Sequence, residues 1–597
     1  MKSKISFFNA GIFKSMLKRF WPLWTVYFAV WFMSLPLPSL VVRLQGLKES
    51  AVSVVAAAMR TSVEMSIISG FLMGILAAMA VFSFLYNSRS CGMVASAPVR
   101  REAVFCSAYL AGALPVIAAN LLIAVLNWLF TLGSGIDGSC IFKMNAILFA
   151  VNSMEFLIFF SIAAFTAMLT ANIVALPVFY IIFNFVFLGM EYVVRILYGM
   201  FVFGYSDLPD CILEFTSPLI YLFTRIGLNV RISALSATIS MTNWSVLLGY
   251  IIAAIALSVI ALLLFRRRRM ESAGDVVAIK SLRPVFRFCF TACSALCFGL
   301  LFFVIISSLF TSLSTSMLVL SAGLIIGAFI GYFASEMLLK KSFHVFKGNW
   351  KGFVITVILC IVFAFVCVTD LFDLSSQLPD IDDIQMITCN SEEEGSYKVK
   401  ERADIEAILK INKAIIDDRD KYEGLDDYDF DSTGYISLKY TLKDGRTVCR
   451  GYTLLIDDNY RAFYKVLGSE SIVKDLFTPE IPVTVQNVYS ASYEYPSDSG
   501  EMNSISLTPE QAVDFYVNAL MKDIENGAKK PNIPELSTGA DFHDPDSYVY
   551  IELVTAPEAG MDEETYDSLI IDIDANCTEC IAWIKANLNI DLHDVNQ

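Results

Sequence analysis

Residues 244–269, WSVLLGYIIAAIALSVIALLLFRRRR, decide the fold of this 597-residue chain. The uncharged run 244–265 is long enough to cross the hydrocarbon core of a bilayer, which is about 30 Å thick. The four arginines that follow are typical of the cytoplasmic end of a membrane span. The segment therefore predicts a transmembrane helix that leaves the membrane on the inner side.

Eight further apolar runs of similar length occur along the chain. They lie near 21–42, 63–86, 103–130, 142–168, 172–203, 284–310, 316–338 and 352–370. With 56% hydrophobic and 17% charged residues, the composition excludes an ordinary soluble enzyme. We predict nine transmembrane helices, and the count depends most on 284–310 and 316–338, because only TSLST separates these two runs.

The net charge of −15 hides two opposite parts. Residues 1–369 carry 26 Lys and Arg against 12 Asp and Glu, a balance of +14, whereas residues 370–597 carry 18 against 47, a balance of −29. With the amino terminus in the cytoplasm, the inner segments hold 19 of those 26 cations, as the positive-inside rule favours. Nine spans then place the acidic tail outside the cell membrane, and its lack of clustered Lys and Arg argues against a nucleic-acid partner.

The tail has the pattern of a folded α+β domain, built as one unit or as two similar subdomains. Apolar and polar residues alternate over 436–442 before Asp444-Gly445, which predicts a β-hairpin. A capping-box sequence at 508–511 predicts the start of a helix. Further strands are expected over 548–554 and 569–573, and a final helix over 577–588.

Residues 1–20 carry apolar side chains at helical spacing, with lysines and arginines between them. The apolar positions are Ile5, Phe8, Ile12, Met16 and Phe20. This pattern predicts an amphipathic helix along the inner membrane surface. A signal peptide is the alternative, but the apolar run that follows is long and has no A-x-A-like cleavage site.

Sequence motifs for covalent chemistry are absent. No G-x-x-x-x-G-K-[ST], H-E-x-x-H or G-x-S-x-G occurs, so ATP that drives this protein would be hydrolysed by another chain. Cys577-Thr578-Glu579-Cys580 has the spacing of a redox dithiol, but a thioredoxin-type fold needs further strands after it. The other interpretations are disulfides among Cys389, Cys449, Cys577 and Cys580, or buried thiols.

Four aspartates in the tail resemble a calcium-binding loop. They are Asp426, Asp427, Asp429 and Asp431. The loop has no glycine at the sixth position and no glutamate at the twelfth. The pattern therefore favours a solvated acidic turn.

The charged residues Glu155, Glu191 and Arg195 fall inside predicted spans. A charge at mid-membrane costs about 2.5–3.5 kcal/mol on insertion scales and often marks function. Glu191 and Arg195 are four residues apart, so a mutual ion pair near the outer interface would explain both. Between the fifth and sixth spans, 211–215 and 219–223 are apolar but too short to cross, which favours short re-entrant or interfacial helices over an ordinary loop.

Three segments together resemble ABC-2-type transporter permeases, and within that group the Gram-positive permeases of the Ytr (acetoin utilisation) type. They are FKSMLKRFWPLW (13–24), SAPVRREAVFCSAYLAG (96–112) and RMESAGDVVAIKSLRPV (269–285). The resemblance implies that the first six spans form one half of a translocation pathway, as in type V exporters. It also implies a second permease, and a separate ATPase subunit that binds ATP-Mg.

The resemblance further implies which residues contact that ATPase. They are Lys14, Lys18, Arg19, Arg89, Pro98, Arg100 and Arg101. The plainer interpretation is that these cations only set the orientation of the chain in the membrane. The acidic tail is similar to the carboxy-terminal extracytoplasmic domain of some of these permeases.

We therefore expect a polytopic α-helical membrane protein with four regions. These are an amphipathic interfacial helix (1–20), a six-span ABC-2-like permease core (21–270), a cytoplasmic linker with three further transmembrane helices (271–370) and an acidic extracytoplasmic α+β domain (371–597). The expected function is the permease subunit of an ABC transporter for export or envelope-stress resistance. No catalytic residue, cofactor or metal site is expected in this chain. The alternatives are a membrane-anchored extracytoplasmic ligand sensor and an integral-membrane transferase.

Overall fold

The computed structural model describes most of the chain in seventeen segments. They are 7–45, 48–96, 98–132, 138–205, 211–233, 236–268, 275–309, 317–346, 350–370, 375–391, 395–422, 433–479, 481–496, 502–529, 550–555, 567–573 and 576–588. The chain divides into two compact units. The first comprises Met1–Val194 and Cys211–Phe365, and the second comprises Arg195–Asp210 and Val366–Gln597.

Helices dominate the first unit. They are α1 (Ala10–Arg19), α2 (Trp21–Ser34), α3 (Pro36–Gln45), α4 (Lys48–Val81), α5 (Ser88–Ser96), α6 (Arg101–Thr131), α7 (Gly138–Leu169), α8 (Ala175–Phe201), α9 (Pro218–Arg225), α10 (Trp244–Arg267), α11 (Arg283–Leu309), α12 (Met317–Lys340) and α13 (Trp350–Val368). By the residue ranges of the two units, α8 and α13 begin in the first and end in the second. A hairpin of β1 (Leu228–Ser233) and β2 (Ser236–Met241), which the sequence did not predict, precedes α10.

Nine helical segments of the described chain are long and apolar enough to cross a membrane, which confirms the predicted number. They are Trp21–Gln45 (α2 with α3), Thr61–Val81 (in α4), α6, α7, α8, α10, Arg283–Ile306 (in α11), α12 and α13. The first of them is interrupted at Leu35, because Pro36 has no backbone N–H to continue the helix. The two apolar runs on which the count depended most, 284–310 and 316–338, are present as the two helices α11 and α12.

Helix α7 forms the centre of the first unit and packs against α4, α6 and α10. Glycines in its neighbours permit this close approach. A Cβ atom on Gly74 of α4 would lie 2.9 Å from backbone atoms of Phe159 and Phe160, and one on Gly112 of α6 would lie 2.6 Å from the Phe160 ring. Small residues at helix contacts are the usual solution where lipid removes the hydrophobic drive for helix association.

Helices α11 and α12 form a tightly packed pair. The segment GLIIGAFIG (323–331) places a glycine at every fourth position of α12. A Cβ on Gly327 would lie 2.8 Å from the carbonyl oxygen of Ser294 in α11. This small-xxx-small pattern was visible in the sequence, and it explains how the two helices approach so closely.

The second unit contains two four-stranded antiparallel sheets. Its elements are β3 (Ile384–Ser391), β4 (Gly395–Val399), α14 (Arg402–Asp417), α15 (Arg419–Tyr422), β5 (Thr433–Leu442), β6 (Thr447–Leu455), α16 (Asp458–Leu467), α17 (Glu470–Leu476), β7 (Val488–Pro496), β8 (Met502–Ser506), α18 (Pro509–Phe515), a π-helical turn (Tyr516–Leu520), α19 (Met521–Glu525), β9 (Tyr550–Thr555), β10 (Asp567–Asp572) and α20 (Thr578–Leu588).

The two sheets have the same topology. The first has the strand order β4-β3-β5-β6 and the second the order β8-β7-β9-β10, and each is built as hairpin, helix, hairpin, helix. Each half buries its own apolar cluster, around Tyr440 in the first and around Phe515 in the second. The tail therefore contains an internal repeat. Of the two arrangements that the sequence left open, the structure has the one with two similar subdomains.

The local predictions for the tail are confirmed. Strands β5 and β6 form the expected hairpin, with Gly445 of its turn at φ +83°. Thr508 and Gln511 form the capping box, since Thr508 Oγ1 accepts from the backbone N–H of Gln511 at 3.3 Å and Gln511 Oε1 accepts from that of Thr508 at 3.0 Å. Such reciprocal caps satisfy donors that a helix start leaves open.

Candidate functional site

Among the buried polar side chains that the structure describes in the first unit, eight are joined to one another by hydrogen bonds between helices. They are Tyr27, Ser39, Ser66, Asn120, Asn127, Asn145, Ser153 and Glu155, which we call the polar core. Three of them belong to α7, and the others lie on α2, α3, α4 and α6. Polar groups at membrane depth must find partners within the protein, so their contacts define the most constrained part of the bundle.

Glu155 is the ionisable member of the polar core and is fully buried. Ser66 of α4 donates a hydrogen bond to its Oε2 atom, whereas Oε1 has no hydrogen-bond partner in the described structure. A Cβ on Gly70, one turn after Ser66, would lie 3.3 Å from the backbone nitrogen of Phe156. The glycine therefore brings α4 close enough for Ser66 to reach the carboxyl group.

Two further layers of hydrogen bonds connect α2 and α3 with α6 and α7. Tyr27 donates to Asn120 Oδ1 at 2.8 Å, and Asn120 Nδ2 donates to Ser153 Oγ at 3.3 Å. In the next layer Ser39 donates to Asn127 Oδ1 at 2.8 Å, and Asn127 Nδ2 donates to Asn145 Oδ1 at 2.9 Å. Asn120 and Asn127 are seven residues apart on α6, and Asn145 and Ser153 are eight residues apart on α7. These spacings bring each hydrogen-bonded pair onto matching turns of the two antiparallel helices.

The sequence identified only Glu155 of this set, because a charge stands out in an apolar run and an amide does not. The signal that could have found the others is the seven-residue spacing of Asn120 and Asn127 inside one predicted span. Neutral hydrogen bonds in these layers can exchange partners at little cost, and the Glu155 carboxyl can hold or release one proton. The polar core thus holds the helices in a defined register while its neutral bonds remain able to change partners.

All seven predicted ATPase-contact residues lie exposed on the described surface. Six of them form what we call the basic surface: Lys14, Lys18 and Arg19 of α1, Arg89 of α5, and Pro98 and Arg100 before α6. Helix α1 packs against α6, and the backbone N–H of Asn9 donates to Ser107 Oγ at 2.8 Å. That bond holds the start of α1 beside the second turn of α6, near the segment that carries Pro98 and Arg100.

Arg101, the seventh of these residues, has a contact within the chain that the sequence did not suggest. Its Nη1 atom donates to the carbonyl oxygens of Arg266 and Arg268, each at 3.0 Å. A guanidinium group at these carbonyls caps the carboxyl end of α10 and complements its dipole. The partners lie far away in sequence, which is why local pattern could not find them.

The arginine-rich run after α10 also folds back on the bundle. Arg268 is buried, with 3% of its surface exposed, and donates to Ala167 O at the end of α7 at 2.8 Å. Burial lowers the pKa of Arg268 below its usual range. Further on, Ala171 N donates to Asp275 O at 3.0 Å, and Ala278 N donates to Leu169 O at 2.8 Å. Residues 275 and 278 of the third resembling segment (269–285) therefore bond within the chain.

Glu191 binds backbone amides of the segment after α8. Its Oε1 and Oε2 atoms accept from the N–H groups of Ile212 and Leu213 at 2.7 and 2.6 Å. Arg195 is buried, with 9% of its surface exposed. The ion pair between Glu191 and Arg195 remains a prediction. The apolar stretches after α8 form a 3₁₀ turn (Glu214–Thr216) and the short helix α9, so one of the two expected short helices is present.

The cysteines near the end of the chain are buried, as expected for core thiols. Cys577 and Cys580 are 1% and 0% exposed. Asp523, itself fully buried, accepts from the backbone N–H groups of Glu579 at 3.0 Å and Cys580 at 2.9 Å, and so caps α20. Burial and the bond to Asp523 raise the pKa of the Cys580 thiol far above its usual range, which is the opposite of what a redox nucleophile needs.

Metal ligands do not gather in the part of the chain that the structure covers. No group of three or more His, Cys, Asp or Glu side chains could hold a metal ion among the described residues. The calcium-like aspartates Asp426, Asp427, Asp429 and Asp431 lie outside these residues.

Comparison of the chain with protein-family models, with curated proteins and with solved structures gave no match. The resemblance to ABC-2 permeases therefore rests on the three sequence segments alone. The fold and the site define a helical protein with nine candidate membrane spans and a repeated α+β tail.

Proposed function

We propose that this chain is the membrane subunit of an ABC transporter that works with a separate ATPase subunit and a second permease, in export or envelope-stress resistance. The observation that carries the proposal is the basic surface. An amphipathic helix, α1, is held by the bond from Asn9 to Ser107 next to the segment that carries Arg89 and Arg100. A cationic surface made by α1 and the segment before α6 suits docking of a soluble partner with complementary charge.

The polar core supplies a means of transmitting movement in this proposal. A pull on α1 and on the start of α6 by a closing ATPase would shift α6 along α7. Because Asn120 and Asn127 bond to α7 through neutral side chains, the helices can exchange one register of hydrogen bonds for another without exposing a charge to lipid. Helix shifts between two packed arrangements are a common form of allosteric transition.

Site-specific photo-crosslinking tests the ATPase contact. A photoreactive amino acid at position 89 or 100 of the full chain, in its native membrane, is expected to capture a protein that carries a Walker A motif and hydrolyses ATP. The matched control is the same photoreactive amino acid at position 143. Lys143 is also exposed, but it lies at the opposite end of α7 from Ala167, whose carbonyl oxygen Arg268 contacts. Capture of the same partner with equal yield from position 143, or of no Walker A protein from 89 and 100, would contradict the proposal.

A ligand sensor is the second candidate, and the link between α8 and the tail favours it. Within the second unit, Tyr205 pairs with Arg450 of β6 in an isolated antiparallel bridge, four residues after α8 ends. A ligand that moves this sheet would therefore pull on α8. Hydrogen exchange of the α8 amides tests this candidate. A change in their exchange rate when an antibody fragment binds the tail, together with no binding of an ATPase to the purified chain, would favour the sensor.

A further inference from the structure

An open apolar groove runs along the first unit beside the basic surface. It has a volume of about 580 Å³, within the range of about 300–1,000 Å³ that is usual for small-molecule sites. Its lining includes Leu17, Lys18, Trp21, Trp24, Leu114 and Pro115. The groove lies between the α1–α2 corner and α6, where Pro115 interrupts the hydrogen-bond ladder of the helix.

The lining of this groove combines two chemistries. Trp21 and Leu114 expose apolar surface, with 61% and 45% of their side chains accessible. Lys18 is exposed and contributes a positive charge where α1 borders the groove.

We infer that the groove binds a phospholipid with an anionic headgroup. The acyl chain lies along the apolar lining, and the headgroup phosphate contacts the Lys18 ammonium. Tryptophan and lysine are the residues that anchor proteins at the level of lipid headgroups. The charge of Lys18, next to Lys14 and Arg19 on the same helix, selects an anionic lipid over a zwitterionic one.

Native mass spectrometry of the purified full chain tests this site, with phosphatidylglycerol and phosphatidylcholine as probes. Lys18→Ala is expected to weaken phosphatidylglycerol binding about tenfold, the loss of one contact between charged groups. Lys14→Ala is the matched control, because Lys14 is an exposed lysine of the same helix outside the groove.

A steric variant separates this groove from general lipid contact. Leu114→Trp fills the groove and is expected to abolish the tight site, whereas Leu121→Trp adds the same side chain to an exposed position of α6 outside it. Equal thermal stability of the two variants in detergent checks that both remain folded. The inference is overturned if Lys14→Ala and Lys18→Ala weaken binding equally, if phosphatidylcholine binds as tightly as phosphatidylglycerol, or if Leu114→Trp binds like the parent chain.

Discussion

The backbone of Gly204 lies directly against the ring of Tyr452. Gly204 has φ +70°, and a Cβ atom added to it would lie 2.8 Å from Tyr452 Cζ. The carbonyl oxygen of Gly204 accepts from the backbone N–H of Gly451 at 3.2 Å, and the Phe203 ring lies 5.3 Å from that of Tyr452. The segment that follows α8 is thus held to strand β6 by backbone and by ring contacts.

Gly204→Ala is expected to detach this segment from β6. The left-handed backbone costs an L-residue roughly 1–2 kcal/mol, and the methyl group would also overlap the Tyr452 ring. The control is Gly445→Ala, because Gly445 has φ +83° but nothing within 4 Å of an added Cβ. Hydrogen exchange should show faster exchange of the Gly451 amide in the Gly204 variant alone. Equal protection of that amide in both variants would show that the contact is unimportant.

Ser66→Ala is expected to destabilise the helical core. It would leave both oxygens of the buried Glu155 carboxyl without a hydrogen bond, which costs about 1–3 kcal/mol. Ser62→Ala is the control, since Ser62 is a buried serine of the same helix that bonds only to its own turn, at Ala58 O. Thermal unfolding of the purified chain in detergent should show a lower Tm for Ser66→Ala than for Ser62→Ala. Matching Tm values would mean that Glu155 does not depend on Ser66.

Gly327→Leu is expected to separate α11 from α12. The side chain would have to occupy the space that Ser294 O takes, 2.8 Å from the first added carbon. The control is Gly249→Leu, because a Cβ on Gly249 of α10 meets nothing within 4 Å. Thermal unfolding of the purified chain in detergent should show a lower Tm for Gly327→Leu than for Gly249→Leu. Equal Tm values of the two variants would contradict the packing argument.

Asp523→Ala is expected to loosen α20 and expose the thiol beside it. The change leaves two buried amides, those of Glu579 and Cys580, without an acceptor, at a cost of about 1–3 kcal/mol. Glu525→Ala is the control, because Glu525 lies on the same short helix with 57% of its side chain exposed. Cys580 should react faster with a thiol reagent in the Asp523 variant only. An unchanged rate would show that the cap is not needed.

The sequence was most informative where physical rules act locally. The nine apolar runs follow from the thickness of a bilayer, and the hairpin at Gly445 and the cap at Thr508 follow from turn and capping chemistry within a few residues. These features were predicted within a few residues of their observed bounds.

Contacts between distant residues could not be predicted in this way. The family resemblance implied that Arg101 contacts a partner protein, which stays a prediction, but nothing in the local pattern indicated that its guanidinium caps carbonyls at 266 and 268. Asn127 meets Asn145 only because α6 and α7 pack in one register. A single sequence carries the pattern of each helix but not the register between helices, so the charge at Glu155 could be found and its bond to Ser66 could not.

The orientation of the chain is the central claim of this account, and accessibility of engineered cysteines tests it most directly. Ser96 is exposed on α5 beside the basic surface, and Ser504 is exposed on β8 of the tail. Each is replaced by cysteine in a separate variant. In intact cells a membrane-impermeant maleimide is expected to label position 504 above the background of the parent chain, and position 96 only after permeabilisation. Labelling of position 96 in intact cells, with position 504 protected until permeabilisation, would contradict the account.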